Sequence, residues 1–325
     1  MIKKKLISTA FLSLIFSTCF WLVRDIDAVI AADGKHGVSD LYRYYVHYNE
    51  LTFANLLSIE WYKGRLFYGI FYFLKEMGFS FEIVLFFIII LYYFVFARLV
   101  EITLKTRKIY VTIVVFAILT LWLIPTTTVV LRQGLAVLLI AIFFSYLNGN
   151  GSSLLKLLIV LFIVNIHVTA IILLPLVLSL KFFKNNLAFL NGIFYITLMM
   201  YIADLWSVLS NQILFLLSDI GIFNEVLVVV TNSTYDTGFS VYKMAAFLLP
   251  ILIYRFPLYF GYSHKDDAGV YVLFVYFSII GMMLSGIPYH DRIFLYGWTF
   301  SPILIASMLT IVRKKNYEKI LQINT

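Results

Sequence analysis

Long apolar runs separated by short polar stretches follow one another along most of the chain. Many approach the roughly 17 to 25 apolar residues with which a helix crosses about 30 Å of hydrocarbon. The period-two alternation of a transmembrane β-strand is absent from them. We therefore predict an all-α, polytopic membrane protein with about ten spans, near residues 6–23, 83–102, 109–124, 130–147, 153–166, 168–180, 187–203, 242–260, 268–287 and 293–312.

The N-terminal run and two interrupted segments need separate interpretation. Residues 6–23 follow three lysines, as either a signal peptide or a first span would. A cleavable apolar core usually has only about 7 to 15 residues, and Arg24 with two aspartates precedes the small residues here, so we predict a retained helix. Segments 61–77 and 206–230 are broken by charges and turn residues, and we predict that they are interfacial or re-entrant.

Composition and charge agree with a membrane protein. Of 325 residues, 62% are hydrophobic and 13% charged, whereas soluble domains have about 25% charged residues. Lysine and arginine in short loops collect on the cytoplasmic side of a membrane. With the N-terminus inside, ten spans place every basic cluster on that side, at 105–108, 181–184, 265 and 313–319. We predict one integral membrane domain over 1–325, with cytoplasmic termini and external segments at about 24–60 and 204–241.

Several kinds of chemistry are disfavoured by the sequence. The net charge of +8 is not organised into a basic helix or an aromatic-basic alternation, so no nucleic-acid partner is predicted. Cys19 has no second cysteine, which excludes a disulfide within the chain. The five histidines lack metal-ligand spacing, and Asp25-Ile-Asp27 is a weak metal signal at a helix exit. We predict neither a metal nor a cofactor.

Arg132 is the first candidate for chemistry. It stands near the start of a predicted span, in Thr126-Thr-Thr-Val-Val-Leu-Arg132-Gln-Gly-Leu-Ala136. A charged residue there usually faces a cavity or a partner, because exposure to lipid costs a few kcal/mol. The alternative is an arginine that extends to the membrane interface. Gln133 and the three threonines favour a polar cavity in which Arg132 and Gln133 bind an anionic substrate.

His167 interrupts an apolar stretch that is too long for one span and short for two. We predict a helix break at this residue, near the external face and at the depth of Arg132. A lone histidine in a membrane is either a structural hydrogen-bonding group or a catalytic one, and both interpretations stay open.

The turn before the last span presents His290, Asp291 and Arg292 together after Pro288. Proline ends the preceding helix. Arg292 can bind phosphate oxygens with two parallel hydrogen bonds, and Asp291 or His290 can orient it or move a proton. The alternative is an interfacial ion pair between Asp291 and Arg292.

The first external segment combines carboxylates with aromatic rings. Asp40, Arg43 and Tyr44 belong to its tyrosine-rich start, and Glu60 lies at its end. Rings can stack on the C–H faces of a sugar while carboxylates accept hydrogen bonds from its hydroxyl groups. Tyrosine and tryptophan are equally typical of any membrane interface, so composition alone does not decide between these interpretations.

These motifs together resemble the EpsG-like family of polysaccharide polymerases, which includes many bacterial O-antigen polymerases of the Wzy type. The resemblance rests on the order of spans over most of the chain and on short motifs, of which Arg-Gln-x-x-Ala followed by His about thirty residues later is the most specific. The motifs are the tyrosine cluster after Asp40, Glu60, Arg132 to Ala136, His167 to Ala170 and Tyr289 to Arg292.

The resemblance implies a metal-independent, lipid-donor glycosyltransferase of GT-C-type architecture at the periplasmic face of the inner membrane. Its substrates would be oligosaccharide repeat units linked to undecaprenyl diphosphate, with membrane lipids and a chain-length regulator as further candidate partners. Arg132 and Arg292 would stabilise the diphosphate leaving group. Asp40, Glu60 and His167 are the candidate bases, with Asp40 preferred because its flanking tyrosines offer a platform for a sugar.

Three alternative functions differ from this expectation in sequence features. An O-antigen ligase usually carries a larger periplasmic region than 204–241. A membrane sugar O-acyltransferase would place its essential histidine and arginine in the early spans. A transporter would show internal pseudo-symmetry and charges along a path through the membrane midplane, whereas the ionisable groups here gather at one predicted face.

Overall fold

The computed structural model describes residues 2–24, 40–60, 64–106, 108–149, 151–218, 237–263, 268–288 and 290–313. The chain divides into two compact units, residues 1–178 and 179–325. The prediction of one integral membrane domain over 1–325 stays a prediction.

The first unit is helical. Its α-helices are α1 (Ile2–Arg24), α2 (Asp40–Glu50), α3 (Phe53–Ser58), α4 (Arg65–Glu76), α5 (Phe81–Thr103), α6 (Ile109–Ile124), α7 (Leu131–Ile142), α8 (Phe144–Asn148) and α9 (Ser153–Val164). A π-helical segment, Pro125–Val129, joins α6 to α7. A 3-10 turn, Val168–Ile172, leads into α10 (Leu173–Asn185), along which the first unit ends.

The second unit is also helical, apart from one short strand pair. Its elements are α11 (Leu187–Ile202), α12 (Leu205–Ser218), α13 (Val241–Tyr259), β1 (Tyr262–Ser263), α14 (Gly269–Met283), α15 (Asp291–Trp298), α16 (Ser301–Ser307), a 3-10 turn (Met308–Thr310) and β2 (Val312–Arg313). The two strands pair antiparallel, with Tyr262 opposite Arg313.

Helices long and apolar enough to cross a membrane make this a multi-pass membrane protein. Among the described residues five pass that test, or six if α11 and α12, bent by 91° at their junction, form one span. The five are Phe81–Thr103, Ile109–Thr127, Val168–Asn185, Val241–Tyr259 and Asp291–Thr310. The other predicted spans coincide with shorter apolar helices, so the count of ten stays a prediction. The two interrupted segments contain α4 and α12, and residues 219–230 lie outside the described part.

Small residues and aromatic rings pack the core of the first unit. On α1, Ser13 and Ser17 are fully buried, and their hydroxyls donate to carbonyls one turn earlier. Between them, the ring of Phe16 lies 5.7 Å from Tyr93 of α5 and 5.3 Å from Phe116 of α6. This packing fixes α5, whose other face supports the candidate site described below.

The second unit is organised around α14, which is buried on nearly every side. A helix that is apolar all round belongs in a packed interior. Tyr271 of α14 stacks on Tyr254 of α13, with 4.5 Å between ring centroids, and its hydroxyl donates to Asn191 Oδ1 of α11 at 2.5 Å. The helix ends at Met283, so the turn predicted before the last span is present.

Candidate functional site

Arg132 lies in the first turn of α7, at the position that the sequence predicted for it. Its Nε donates a hydrogen bond to the hydroxyl of Tyr44 on α2, at 3.3 Å. Its Cζ lies 5.8 Å from the centre of the Tyr68 ring on α4. A guanidinium remains charged while it contacts aromatic groups, so this half-buried side chain can bind an anion in a defined geometry.

Gly64 allows the chain to pass beside Arg132. It precedes α4 with φ of +90°, in the left-handed region that favours glycine. A Cβ at this position would lie 3.2 Å from Nη1 of Arg132 and 3.1 Å from the carbonyl oxygen of Ile166. The backbone at Gly64 therefore lies next to both Arg132 and Ile166, the residue that precedes His167.

Gly134 holds α7 against the π-helical segment. A Cβ on Gly134 would lie 2.0 Å from the carbonyl oxygen of Thr126, so a larger residue requires the backbone to move. The hydroxyl of Tyr92 on α5 donates to the carbonyl of Gly134. π-helical segments inside helices are frequent at functional sites. Two elements thus fix the start of α7, where Arg132 lies.

Thr126, Thr127 and Gln133, close to Arg132 in sequence, are buried and do not line the cavity described next. The hydroxyls of Thr126 and Thr127 donate to carbonyls of Trp122 and Leu123 in the preceding turn. Gln133 is fully buried. The side chain of Thr128 lies outside the described part of the structure. A role for Gln133 in substrate binding stays a prediction.

A cavity of about 710 Å³ opens beside Arg132. It combines one guanidinium with two carboxylates, an imidazole and an aromatic ring. This set can bind an anionic group at the arginine, stack a sugar on the ring and accept hydrogen bonds from hydroxyl groups. The lining residues are His47, Glu50, Leu51, Asn55, Ser58, Ile59, Glu60, Tyr68, Arg132 and Val168.

Two cationic side chains anchor the segments that carry the carboxylates. Arg65 donates from Nε to the carbonyl of Ile59 at 2.5 Å, next to Glu60. Lys75 Nζ donates to carbonyls at the end of α2, with 2.9 Å to the carbonyl oxygen of Leu51, next to Glu50. Such bonds satisfy carbonyls that a helix end leaves without intrahelical donors. They place both carboxylates at the cavity.

His167 lies at a helix break, as predicted, whereas its predicted place near the external face stays a prediction. Helix α9 ends at Val164, and His167 has extended backbone before the 3-10 turn begins at Val168. Its Nδ1 lies 2.7 Å from the hydroxyl of Thr169. Because Ile166 and Val168 reach the surroundings of Arg132, the break adjoins the cavity. Whether His167 is structural or catalytic stays open.

The described cavity includes some predicted residues and adds others. Glu60 and Arg132 line the cavity as predicted, and His47, Glu50 and Tyr68 were missed. Tyr44 does not line it but accepts a hydrogen bond from Arg132. Residue His47 follows Tyr44 by three positions, which is the spacing of one helix face and could have indicated it. Residue Asp40 begins α2, but its side chain lies outside the described residues, and Arg43 is exposed. Their predicted roles stay predictions.

In the second unit His290 is buried and neutral. Its Nδ1 lies 2.9 Å from the carbonyl oxygen of Ile287 and must donate to it, so Nε2 accepts from Lys243 Nζ at 3.1 Å. Burial, together with the positive charge of Lys243, lowers the pKa of His290 to about 4. At neutral pH His290 therefore orients Lys243 rather than binding an anion itself.

Asp291 and Arg292 occupy the first turn of α15 and are both half-buried. An acidic residue is favourable there, because the N-terminus of a helix carries partial positive charge. Their predicted role in diphosphate binding stays a prediction, and Tyr289 lies outside the described residues.

Metal binding has no candidate group in the described part of the chain. There, no three histidine, cysteine, aspartate or glutamate residues are close enough together to hold a metal ion. Asp25 and Asp27, the weak metal signal, lie outside the described residues.

The apolar helices define a class, a multi-pass membrane protein. Its polar cavity presents a guanidinium, two carboxylates and an aromatic ring. The family model of the EpsG family matches residues 3–324, nearly the whole chain. The chain therefore belongs to the EpsG family and is a polysaccharide polymerase-like membrane protein, of the glycosyltransferase kind in its broad class. No curated protein and no solved structure gives a significant match to it.

Proposed function

We propose that the chain transfers a growing glycan from undecaprenyl diphosphate to the non-reducing end of another lipid-linked repeat unit. The reaction takes place at the periplasmic face of the bacterial inner membrane, and both termini are cytoplasmic. The observation that carries this proposal is the cavity in which Arg132 lies together with Glu50, Glu60 and Tyr68. Family membership and the charge distribution along the sequence support it.

The residues of this cavity match the needs of the reaction. The bond between the anomeric carbon of the donor and its phosphate oxygen breaks, and the acceptor hydroxyl forms the new glycosidic bond. Arg132 stabilises the charge that develops on the diphosphate. The hydroxyl proton passes to a base, and His167 binds the donor from the side of the helix break. None of these steps uses a metal ion.

Glu60 is the base that the described cavity favours. It lines the same cavity as Arg132, and an exposed carboxylate is unprotonated at neutral pH. Arg65 holds the adjacent carbonyl of Ile59, which fixes the approach of Glu60. Asp40, preferred on sequence grounds, is the competing candidate.

The decisive experiment uses the purified chain in nanodiscs with isolated undecaprenyl diphosphate-linked repeat units. Polymer should form without added protein. Replacement of Arg132 by Ala should reduce its rate by about 10² or more, as for other removed electrostatic contacts to a transition state. Arg132→Lys should recover part of the rate, because it keeps the charge but loses the planar fork. Arg98→Ala, at an exposed position paired with Glu101, is the matched control and should polymerise normally.

The same assay assigns the base and separates alternative functions. Glu60→Gln should polymerise about 10² times more slowly while it still binds substrate. Glu76→Gln is the matched control, because Glu76 is exposed at the end of α4, and it should polymerise at the normal rate. Loss in Asp40→Asn with a normal Glu60→Gln would move the base to Asp40. Transfer only to a lipid-core acceptor would indicate a ligase, and movement of repeat units without new bonds would indicate a transporter.

A further inference from the structure

A second cavity of the first unit, of about 300 Å³, is almost entirely apolar. We call it the apolar groove. Side chains from α4, α5, α7 and α9 form it together with Phe79. They are Ile70, Phe71, Leu74, Phe79, Val84, Phe87, Ile88, Leu91, Leu135, Leu139 and Phe162.

Helix α7 leads from the polar cavity to the apolar groove. Arg132 lines the polar cavity, and Leu135 and Leu139 line the groove. These residues follow at three and seven positions, so they lie on one face of the helix, about 4.5 and 10.5 Å further along its axis. A ligand with its charged end at Arg132 can therefore continue along α7 into the groove.

Helix α4 makes the same transition in the same chain direction. Tyr68 lines the polar cavity, whereas Phe71 and Leu74 line the groove. Two helices that both begin at the cation and continue along apolar side chains form one amphipathic site. Its charged end and its apolar end are within two helical turns of each other.

The groove is open at its rim. Phe87 is 57% exposed, Leu91 40% and Phe162 41%, whereas Phe71 at its base is buried. An apolar rim of this kind is compatible with contact to hydrocarbon, because it presents no polar group to desolvate. A hydrocarbon chain can enter from the bilayer without leaving an apolar environment, while its anionic head reaches Arg132.

We propose that the apolar groove holds the isoprene units next to the diphosphate of a polyprenyl diphosphate whose head group binds Arg132. The inference rests on the proposed function for the class of lipid, and it adds the place where the lipid chain binds. Charge complementarity selects this occupant, because a guanidinium at the end of an apolar groove matches an anionic head directly joined to a hydrocarbon chain.

The test measures binding without any sugar, so that it does not depend on polymerisation. Inorganic diphosphate, geranyl diphosphate and farnesyl diphosphate are titrated onto the full chain in phosphatidylcholine nanodiscs, and binding to empty nanodiscs is subtracted. Affinity should rise at least about tenfold from inorganic to farnesyl diphosphate, since each buried methylene contributes favourably. Arg132→Ala should weaken all three ligands.

Variants that fill the groove give the specific evidence. Leu139→Trp, and Leu91→Trp at the exposed rim in case the first misfolds, should bind farnesyl diphosphate no more than about threefold tighter than inorganic diphosphate. Both should keep the affinity for inorganic diphosphate, which shows that they are folded. Leu121→Trp is the matched control, because Leu121 on α6 is 64% exposed and lies outside the groove. It should retain the full gain.

The outcomes separate this inference from the proposed function. Equal farnesyl diphosphate affinity in Leu139→Trp, Leu91→Trp and Leu121→Trp would overturn the groove, even if the chain makes polymer. Complete competition by phosphatidylglycerol in the nanodisc would also overturn it, in favour of a bulk-lipid site. A groove-dependent gain in a chain that makes no polymer would support the groove and reject the proposed polymerase.

Discussion

Arg132 is positioned by residues that are far from it in the chain. Its hydrogen-bond partner Tyr44 is 88 positions earlier, and Gly64 brings the backbone of a third element against it. A guanidinium held in this way is already oriented before a ligand arrives, which reduces the entropy that binding costs. The orientation of Arg132 therefore depends on residues that only the fold brings next to it.

Gly64 gives a test of this arrangement with a matched control. Gly64→Ala places a Cβ against Arg132 and Ile166, and it forces alanine into the left-handed region at a cost of about 1 kcal/mol. Gly78→Ala has a similar φ of +83° but nothing within 4 Å. We expect similar losses of thermal stability, with reduced diphosphate affinity in Gly64→Ala alone. Equal affinity in the two variants would show that Gly64 does not shape the site.

His290 predicts a pH dependence of stability. The unfolded chain binds a proton near the ordinary pKa of 6.5, whereas the folded chain binds it only near about 4. Stability should therefore be constant above pH 6.5 and fall as pH drops from 6.5 towards 4, by about 2 kcal/mol at pH 5.

Thermal unfolding at pH 7.5 and pH 5 checks this prediction. His290→Gln should lose this part of the pH dependence, since glutamine can accept from Lys243 but does not titrate. His47→Gln, at an exposed histidine, should keep it. An unchanged pH profile in His290→Gln would rule out the buried histidine as its cause.

At the scale of elements, the junction of α6 and α7 fixes the position of Arg132 in the polar cavity. The π-helical segment brings the Thr126 carbonyl against Gly134, and Tyr92 of α5 donates to the Gly134 carbonyl. A shift of α7 at this contact would move Arg132 together with Leu135 and Leu139, because all three lie on one rigid helix. The polar cavity and the apolar groove therefore depend on one packing contact.

Gly134→Ala tests this dependence. The Cβ would meet the Thr126 carbonyl oxygen at 2.0 Å, so we expect a loss of about 1 to 3 kcal/mol in stability, as for other overpacked sites. Polymer formation should fall even where the variant remains folded. Gly69→Ala, in the interior of α4 with nothing within 4 Å, should be neutral or stabilising by up to about 1 kcal/mol. A stable, fully active Gly134→Ala would contradict the contact.

At the scale of the whole molecule, the distribution of charge along the chain predicts how it crosses the membrane. The basic clusters fall on one side when the ten predicted segments cross, although five or six of the described helices meet the length criterion. Short helices such as α9 and α14 would then cross the membrane together with their adjoining turns. In the case of α14, the surrounding helices bury it on nearly every side.

Reporter fusions decide the topology. Fusions after Lys108, Lys184, Lys265 and Thr325 should report a cytoplasmic location, and fusions near Asp40 and Asp236 a periplasmic one, because basic loops remain inside. A periplasmic result at Lys108 would reject the ten-span arrangement.

The sequence by itself determined the class of the protein and the positions of most helices. Hydrophobicity and helix breaks act locally, so the apolar runs predict α5, α6 and α13 closely, and His167 marks a real interruption. The family resemblance was likewise available from short motifs, and the family match over residues 3–324 confirms it.

Only the tertiary structure decided which polar residues share a cavity. His47, Glu50 and Tyr68 lie in stretches where aromatic and charged residues are common, and nothing local distinguishes them from an ordinary membrane interface. A glycine is favoured at position 64 because a Cβ there would lie 3.2 Å from Nη1 of Arg132. No pattern along the chain encodes this distance. Residues widely separated in sequence meet only when helices pack, and this packing depends on the shapes of all their side chains together.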